Sequence, residues 1–416
     1  MNSRRSFLAS LGALSAATVA PEQLWASSAG HAAPDAISDA PSRGLALAPD
    51  DFAFAPGLVY LQTGSLGPSP RPVIERTIAS WKELELDPAH YAYGVHEHAM
   101  DAVRAKAAAF LGCDTDELVL TRNTTDGMNA VAQGLTLAAG DRVLTTDQEH
   151  PGGRVGWDYV ARRFGVVIDV VPIAPTEHDT NAIVDRFAKA ITPRTRVLSF
   201  SHLLSSTGLR MPVAELSALA KSRGCLSVVD GAQAVGGIAV NVKTLGCDVY
   251  ATSGHKWLLA PKGTGLLYLS KAIGKTVDPI ALESGRAAYS ASSGVTSLPS
   301  VLGMDAAFDY MNTIGVSRVE AHNLALRSRL YAALQRVPKL RVVSAEAGPT
   351  TSPLLTFELP ANVVSGAFRQ RMHEAHRIQL KGVPTQWLNG IRVSTHLFNT
   401  EQDVDALVTA LRKELG

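Results

Sequence analysis

Asp248-Val249-Tyr250-Ala251-Thr252-Ser253-Gly254-His255-Lys256-Trp257 runs from an apolar strand into a small polar turn that presents a lysine. A glycine-bearing turn, Pro261-Lys262-Gly263-Thr264-Gly265, follows, and then a second apolar run to Leu269. A lysine can attack a carbonyl carbon only if it is held close and is uncharged part of the time. Desolvation and neighbouring positive charge both favour that state. Ser253 and His255 flank the lysine with hydrogen-bond donors suited to an anion. Alone, the pattern also fits a surface lysine in a turn.

Working outward, strand-like and helix-like runs alternate. The strand-like runs are Leu118–Leu120, Val143–Thr145, Val166–Val171, Val197–Phe200, Leu226–Val229, Val249–Ala251 and Gly265–Leu269. Helical patterns at Asp126–Leu135, Gly156–Phe164, Ala182–Ala190 and Val213–Arg223 fill most of the gaps. Units of this length predict an α/β fold, a mainly parallel sheet with helices on both faces. Pro70–Leu86 and Met100–Leu111 read as helices ahead of it. After about residue 305 the rhythm changes to a long helix, Arg318–Arg336, strands near Leu340–Val343 and Leu354–Glu358, a helix Ala367–Arg377, a strand Ile391–Ser394 and a last helix, Gln402–Leu415. That predicts a smaller α+β C-terminal domain. The expected divisions are an arm at 46–69, a large domain at 70–305 and a small domain at 306–416.

Ligands of open parallel sheets bind at the carboxyl ends of the strands, and three further strand ends carry polar chemistry. Val228-Val229-Asp230-Gly231-Ala232-Gln233 ends in an aspartate suited to pair with a pyridinium nitrogen, with Gln233 in reach of a ring hydroxyl. Helix capping is the simpler role for Asp230. Leu120-Thr121-Arg122-Asn123-Thr124-Thr125-Asp126 ends a strand and opens a helix, whose first N–H groups and hydroxyls make an anion site; Thr124 or Thr125 also suits a cap. Asp147-Gln148-Glu149-His150 sets a histidine where it can lie on a planar ring, although a loop histidine is ordinarily solvated. Each feature has a plain alternative, but their succession at consecutive strand ends does not.

With these residues in place the chain resembles the class V aminotransferases, fold-type I enzymes that use pyridoxal 5'-phosphate (PLP), and within them the isopenicillin N epimerase-like branch. The resemblance runs from about Tyr60 to the C-terminus. Tyr60-Leu61-Gln62-Thr63-Gly64-Ser65-Leu66-Gly67 is similar to the family's opening motif near the substrate, which implies substrate contact at Ser65. It further implies phosphate contacts at Thr124, Thr125, Ser253 and His255, a stacking role for His150, ring contacts at Asp230 and Gln233, and a Schiff-base lysine at Lys256. Ile391-Arg392-Val393-Ser394 resembles the C-terminal signature whose arginine takes the substrate carboxylate, as a guanidinium fork does well. Gly294-Val295-Thr296 resembles a loop whose threonine reaches the neighbouring subunit's phosphate, which implies a homodimer. Lys256, Asp230 and His150 are thus the expected catalytic residues. Two departures matter. No cysteine follows Cys247, which disfavours a cysteine desulfurase, and Ser205-Ser206-Thr207-Gly208 stands where the family has an asparagine near the ring hydroxyl.

Composition excludes other classes. The 416 residues include 39 basic and 38 acidic side chains, a net charge of +1, so no basic stripe for nucleic acid is present. Cys113, Cys225 and Cys247 lack the spacing of a zinc site or disulfide framework, and no metal is expected. Arg4-Arg5-Ser6-Phe7-Leu8, an uncharged run to Ala20 and Ser27-Ser28-Ala29 predict a twin-arginine-type export signal over residues 1–29, the translocation machinery as a transient partner, and a periplasmic location. An ordinary export signal with paired arginines is the alternative. The run is shorter than the about 20 apolar residues of a membrane span. Residues 30–45, rich in Ala, Pro, Ser and Asp, read as a flexible lead-in.

The expected activity is chemistry at the amino group or Cα of an amino acid, aminoacyl or peptide substrate, in the manner of an aminotransferase. Epimerisation and carbon–sulfur cleavage remain alternatives, as does a periplasmic binding module on an inactive aminotransferase fold.

Overall fold

The computed structural model describes residues 51–285, 292 and 294–416; the expected export signal and lead-in lie outside the described residues. A short strand β1 (Val59–Tyr60) precedes helix α1 (Arg71–Leu84), a turn α2 (Pro88–His90) and helix α3 (His96–Leu111). Then β2 (Leu118–Thr121), α4 (Thr124–Gly134), β3 (Arg142–Thr146), α5 (Pro151–Phe164), β4 (Val167–Val171), α6 (Thr180–Ala190), β5 (Thr195–Ser201), α7 (Val213–Ser222), β6 (Leu226–Asp230), α8 (Val242–Leu245), β7 (Val249–Ser253) and β8 (Gly265–Leu269) follow. Their seven strands form one sheet in the order β2-β8-β7-β6-β5-β3-β4. The β3–β7 pairings are parallel, and β8 alone runs against its neighbours. The mainly parallel sheet read from the strand–helix rhythm is therefore present.

Alternation along the strands explains why both faces are covered. Leu198, Phe200 and Tyr250 join one apolar cluster, while Val197, Val249 and Ala251 join another on the opposite face. Successive side chains of a strand point to opposite sides, so runs apolar at every position demand helices above and below.

Helices α9 (Leu298–Ile314) and α10 (Val316–Leu334) lead to the small domain. It contains β9 (Arg341–Val342), β10 (Leu354–Glu358), α11 (Ser365–His376), β11 (Ile378–Gln379), β12 (Lys381–Gly382), β13 (Gly390–Ser394) and α12 (Glu401–Leu415). An antiparallel sheet in the order β12-β13-β10-β9 forms its base. β1 pairs in parallel with β11, and Leu61 sits in the small domain's core, so the arm is stitched to that domain.

Two sequence expectations change. α9 had no counterpart in the pattern analysis, and it runs continuously across residue 305. Ten of its residues, from Leu298 to Ile314, are buried, and the polar residues Asp305, Asp309, Asn312 and Thr313 are confined to one stripe, so the wide apolar side blurs the period that marks an amphipathic helix. The turn between α9 and α10 is at Gly315, whose φ of +87° suits glycine. α5 begins at Pro151 rather than Gly156: proline at the first position is compatible with a helix start, and the two glycines that follow it had masked that turn.

Candidate active site

Five strand ends converge on one cavity of about 660 Å³, lined among others by Ser65, Thr124, Thr125, His150, Asp230, Gln233, Ser253, His255, Lys256 and Arg392. Ten of the eleven residues singled out from sequence are thus brought together. The eleventh, Thr296, lies elsewhere, beside Trp81, Tyr93 and Val295 at a separate surface cavity of about 540 Å³.

Lys256 follows β7 through the turn Gly254-His255. Gly254 N donates to Thr264 O at 2.8 Å, and Gly67 N donates to His255 O at 2.7 Å, so the arm is laid over the lysine turn. Burial lowers the Lys256 ammonium to a pKa of about 8; Asp230 pulls it up and Arg392 pushes it further down. This is a lysine prepared to be a nucleophile, because the free amine is populated near neutral pH.

Asp230 ends β6 and is 5% exposed. Its Oδ1 accepts from Ala232 N at 2.9 Å, within a turn and not at the start of a helix, so the capping role does not apply. Its Oδ2 faces Gly153, where a Cβ would lie only 2.5 Å away. Glu149, buried behind this carboxylate, is held by Ser201 Oγ at 2.6 Å and Thr146 Oγ1 at 2.7 Å, and burial raises its pKa to about 7.

His150 caps α5: its Nδ1 accepts from Gly152 N at 3.0 Å. In the neutral ring that acceptor role leaves the proton on Nε2. Burial, reinforced by Lys256, lowers its pKa and favours the neutral form.

At the head of α4 the cap is Asn123, whose Oδ1 accepts from Asp126 N at 2.9 Å. Thr124 is thereby released from capping. Its Oγ1 lies 2.7 Å from Ser253 Oγ, and its N–H donates to the same Ser253 oxygen at 3.0 Å. Two hydroxyls and the helix N-terminus make an anion cup. His255 completes it: its Nδ1 is buried with no hydrogen-bond partner among the described residues, and burial lowers its pKa to about 4.

Gln233, expected at a ring hydroxyl, is engaged at both ends of its amide. Nε2 donates to Gly64 O at 2.8 Å and Oε1 accepts from Trp257 Nε1 at 3.0 Å. One N–H of the amide nitrogen is left over for a ligand. Arg392 enters from β13, 4% exposed. Nη1 donates to Ser205 O at 2.7 Å and Nη2 to Ser65 Oγ at 3.3 Å, while Nε is buried without a partner among the described residues. Burial lowers the guanidinium pKa to about 10. No carboxylate neutralises it, which leaves a ready seat for an anion.

Among the lining residues that sequence reasoning missed are Gly153, Ser205 as a direct partner of Arg392, Lys381 and Trp387. Trp387 Nε1 donates to Asp147 O at 2.8 Å and ties the small domain to the β3–α5 loop at the cavity. The turn-prone Gly382-Val383-Pro384 ahead of the Ile391–Ser394 strand is the sequence signal that could have revealed the β12–β13 hairpin, which sets Lys381 opposite Arg392.

The space beside Asp230 Oδ2 is kept open by Gly153, where a Cβ would intrude. His255, whose buried Nδ1 has no partner among the described residues, belongs to the lining of the same cavity as the hydroxyl cup. A flat, phosphate-bearing pyridine fits this donor set: ring nitrogen to Asp230, phosphate to Thr124, Thr125, Ser253 and His255, and aldehyde to Lys256.

Comparison with known proteins agrees. The family profile "Aminotransferase class-V" matches residues 59–407. The chain is 31% identical over 387 residues to isopenicillin N epimerase of Amycolatopsis lactamdurans, covering 88% of this chain and 97% of that one. It is 28% identical to a probable cysteine desulfurase of Methanothermobacter thermautotrophicus, covering 86% and 95%. Among solved structures, the cystine C–S lyase C-DES with its product cysteine persulfide superimposes with a TM-score of 0.78 at 25% identity over 86% of this chain and 98% of that one. The cysteine desulfurase CsdA of Escherichia coli gives 0.74 at 28% identity, covering 88% and 96%.

Proposed function

Because the chain belongs to the class V aminotransferase family of PLP-dependent enzymes, we propose that it works on the amino group or Cα of an amino acid or peptide substrate, as an aminotransferase does. The observation that carries this reading is the convergence of Lys256, Asp230 and Arg392 on one cavity. When bound, the cofactor supplies a pyridinium ring that withdraws the electron pair released at Cα. Asp230 would hold the ring nitrogen protonated. Arg392, fixed by Ser205 and Ser65, holds the substrate carboxylate and so orients the bonds at Cα. Lys256, with its lowered basicity, carries a proton to and from Cα.

A second reading, epimerisation, is supported by the 31% identity to an isopenicillin N epimerase over 97% of that relative. A desulfurase that needs a cysteine nucleophile is disfavoured, since none of Cys113, Cys225 and Cys247 lines the cavity, and burial raises Cys113 and Cys247 to about 12. Mass spectrometry of products formed in deuterated water separates the readings. A keto acid with the cofactor in its amine form supports transamination. Deuterium at Cα with nitrogen retained supports epimerisation, and a substrate panel left unchanged overturns both.

The proposal extends to a homodimer. Trp81 is 60% exposed and Val295 63% exposed, and both flank Thr296. An apolar face of this kind is what a partner copy covers, and it carries the threonine proposed to reach the partner's phosphate. Light scattering at the mass of one 44.0 kDa chain would contradict it. Export to the periplasm is supported by Arg4-Arg5-Ser6-Phe7-Leu8, the uncharged run to Ala20 and Ser27-Ser28-Ala29, and the twin-arginine route by the paired arginines. Replacing both with lysine should retain the enzyme in the cytoplasmic fraction, and unchanged export would refute that route.

A further inference from the structure

The β12–β13 ladder sets Lys381 directly across from Arg392. Cross-strand partners project from the same face of a sheet, so the two cations stand side by side, and both line the cavity. Three other lysines of this chain meet carboxylates: Lys106 meets Asp305 and Asp309, Lys243 meets Glu117, and Lys271 meets Asp114 and Asp116. Among the described residues the Lys381 side chain has no hydrogen-bond or ion-pair partner. The charges that bear on it are Arg392 and Arg369, both positive, and together with burial they lower its pKa.

A half-buried ammonium beside two guanidinium groups is unfavourable unless an anion joins it. The cavity wall holds one carboxylate, Asp230, which the roles above give to the cofactor, against the three cations Lys256, Lys381 and Arg392. A substrate's α-carboxylate answers Arg392 and leaves Lys381 unanswered. Next to Lys381 the wall continues as Val383, Pro384 and Trp387, an apolar surface suited to a short methylene chain.

We propose that the site selects amino acids, or residues within a peptide, that carry a second acidic group, with Lys381 binding that group while Arg392 holds the α-carboxylate. The inference rests on the amino-acid reading above and specifies its substrate class. Residues directly opposed in an antiparallel pair lie about 4.5–5.5 Å apart at Cα. Two long side chains from such a pair reach carboxylates separated by two or three carbons.

Isothermal titration of the holoenzyme with glutarate and with its monoamide tests the idea without turnover. The two ligands match in size and differ in one charge. Glutarate should bind at least about tenfold more tightly, as a charge-assisted contact implies. In Lys381→Gln that gap should close, with the monoamide affinity within about twofold of the parent, and Lys381→Arg should restore most of it. Equal affinities in the parent, a gap that survives Lys381→Gln, equal loss for both ligands, or no heat from either would overturn the proposal. Failure of the amino-acid reading shows differently, as a substrate panel that exchanges no deuterium, whatever the two dicarboxylate affinities are.

Discussion

Gly153 stands so close to Asp230 that a Cβ added to it would lie 2.5 Å from the carboxylate oxygen Oδ2. The missing side chain is what leaves that oxygen facing the cavity. Gly153→Ala should therefore displace Asp230 or close the ring slot, and weaken cofactor retention more than global stability. Equilibrium dialysis against PLP checks it, and overpacking of this kind costs about 1–3 kcal/mol. Unchanged cofactor affinity would mean that the slot is not where the ring sits.

Asp230→Ala should leave the fold intact and lower turnover by about 10²–10³, the typical loss when a buried electrostatic partner of a developing charge is removed. Asp230→Glu should recover part of it. Single-turnover rates on holoenzyme decide the matter, with circular dichroism to confirm folding.

Arg392 is buried and hydrogen-bonded through two of its three nitrogens. Arg392→Gln removes the partner of the substrate carboxylate and should weaken substrate capture by about 2–5 kcal/mol. The loss should appear in kcat/KM for carboxylate substrates and be smaller for the matching amides. Equal losses for acid and amide would assign the arginine a structural role.

Lys256 gives a pH dependence with a definite sign. Its folded pKa of about 8 lies below the ordinary value of 10.5, so between these values the unfolded chain binds the extra proton. Stability of the cofactor-free protein from this group therefore rises with pH from about 8 towards 10.5, because stability rises wherever the unfolded state holds more protons. Below pH 8 the burial cost of the ammonium is present in full. The rate of cofactor attachment to the free amine should climb with pH and level off above about 8, followed by absorbance. Levelling only above 10 would show an unperturbed lysine.

Gly67 is a test of the arm. A Cβ there would fall 1.9 Å from the Lys256 carbonyl oxygen. Gly67→Ala should lower Tm by several degrees and slow catalysis together, since the arm and the lysine turn shift as one. A change in Tm alone would separate the arm from the site.

The strand–helix rhythm and the polar residues at strand ends were legible because each is local. Asp230 and Lys256 sit where an apolar run stops, and a parallel sheet puts those stops at one edge. Long-range relations were not legible. That Ser205 offers its backbone carbonyl to Arg392 depends on how the small domain docks, and no side-chain pattern records a carbonyl. Gln233 was read as a cofactor contact, yet its amide also ties the arm at Gly64 to Trp257, a linkage between residues distant in the chain. α9 was missed because its apolar side is wide and its polar residues are few.

The most direct measurement of the central claim is borohydride reduction of the holoenzyme, digestion, and mass spectrometry of the peptide that spans Gly254 to Lys262. The account predicts the reduced cofactor fixed to the side-chain nitrogen of Lys256, with the visible absorbance lost in step. Cofactor recovered free with Lys256 unmodified, or attached to a different lysine, would contradict it.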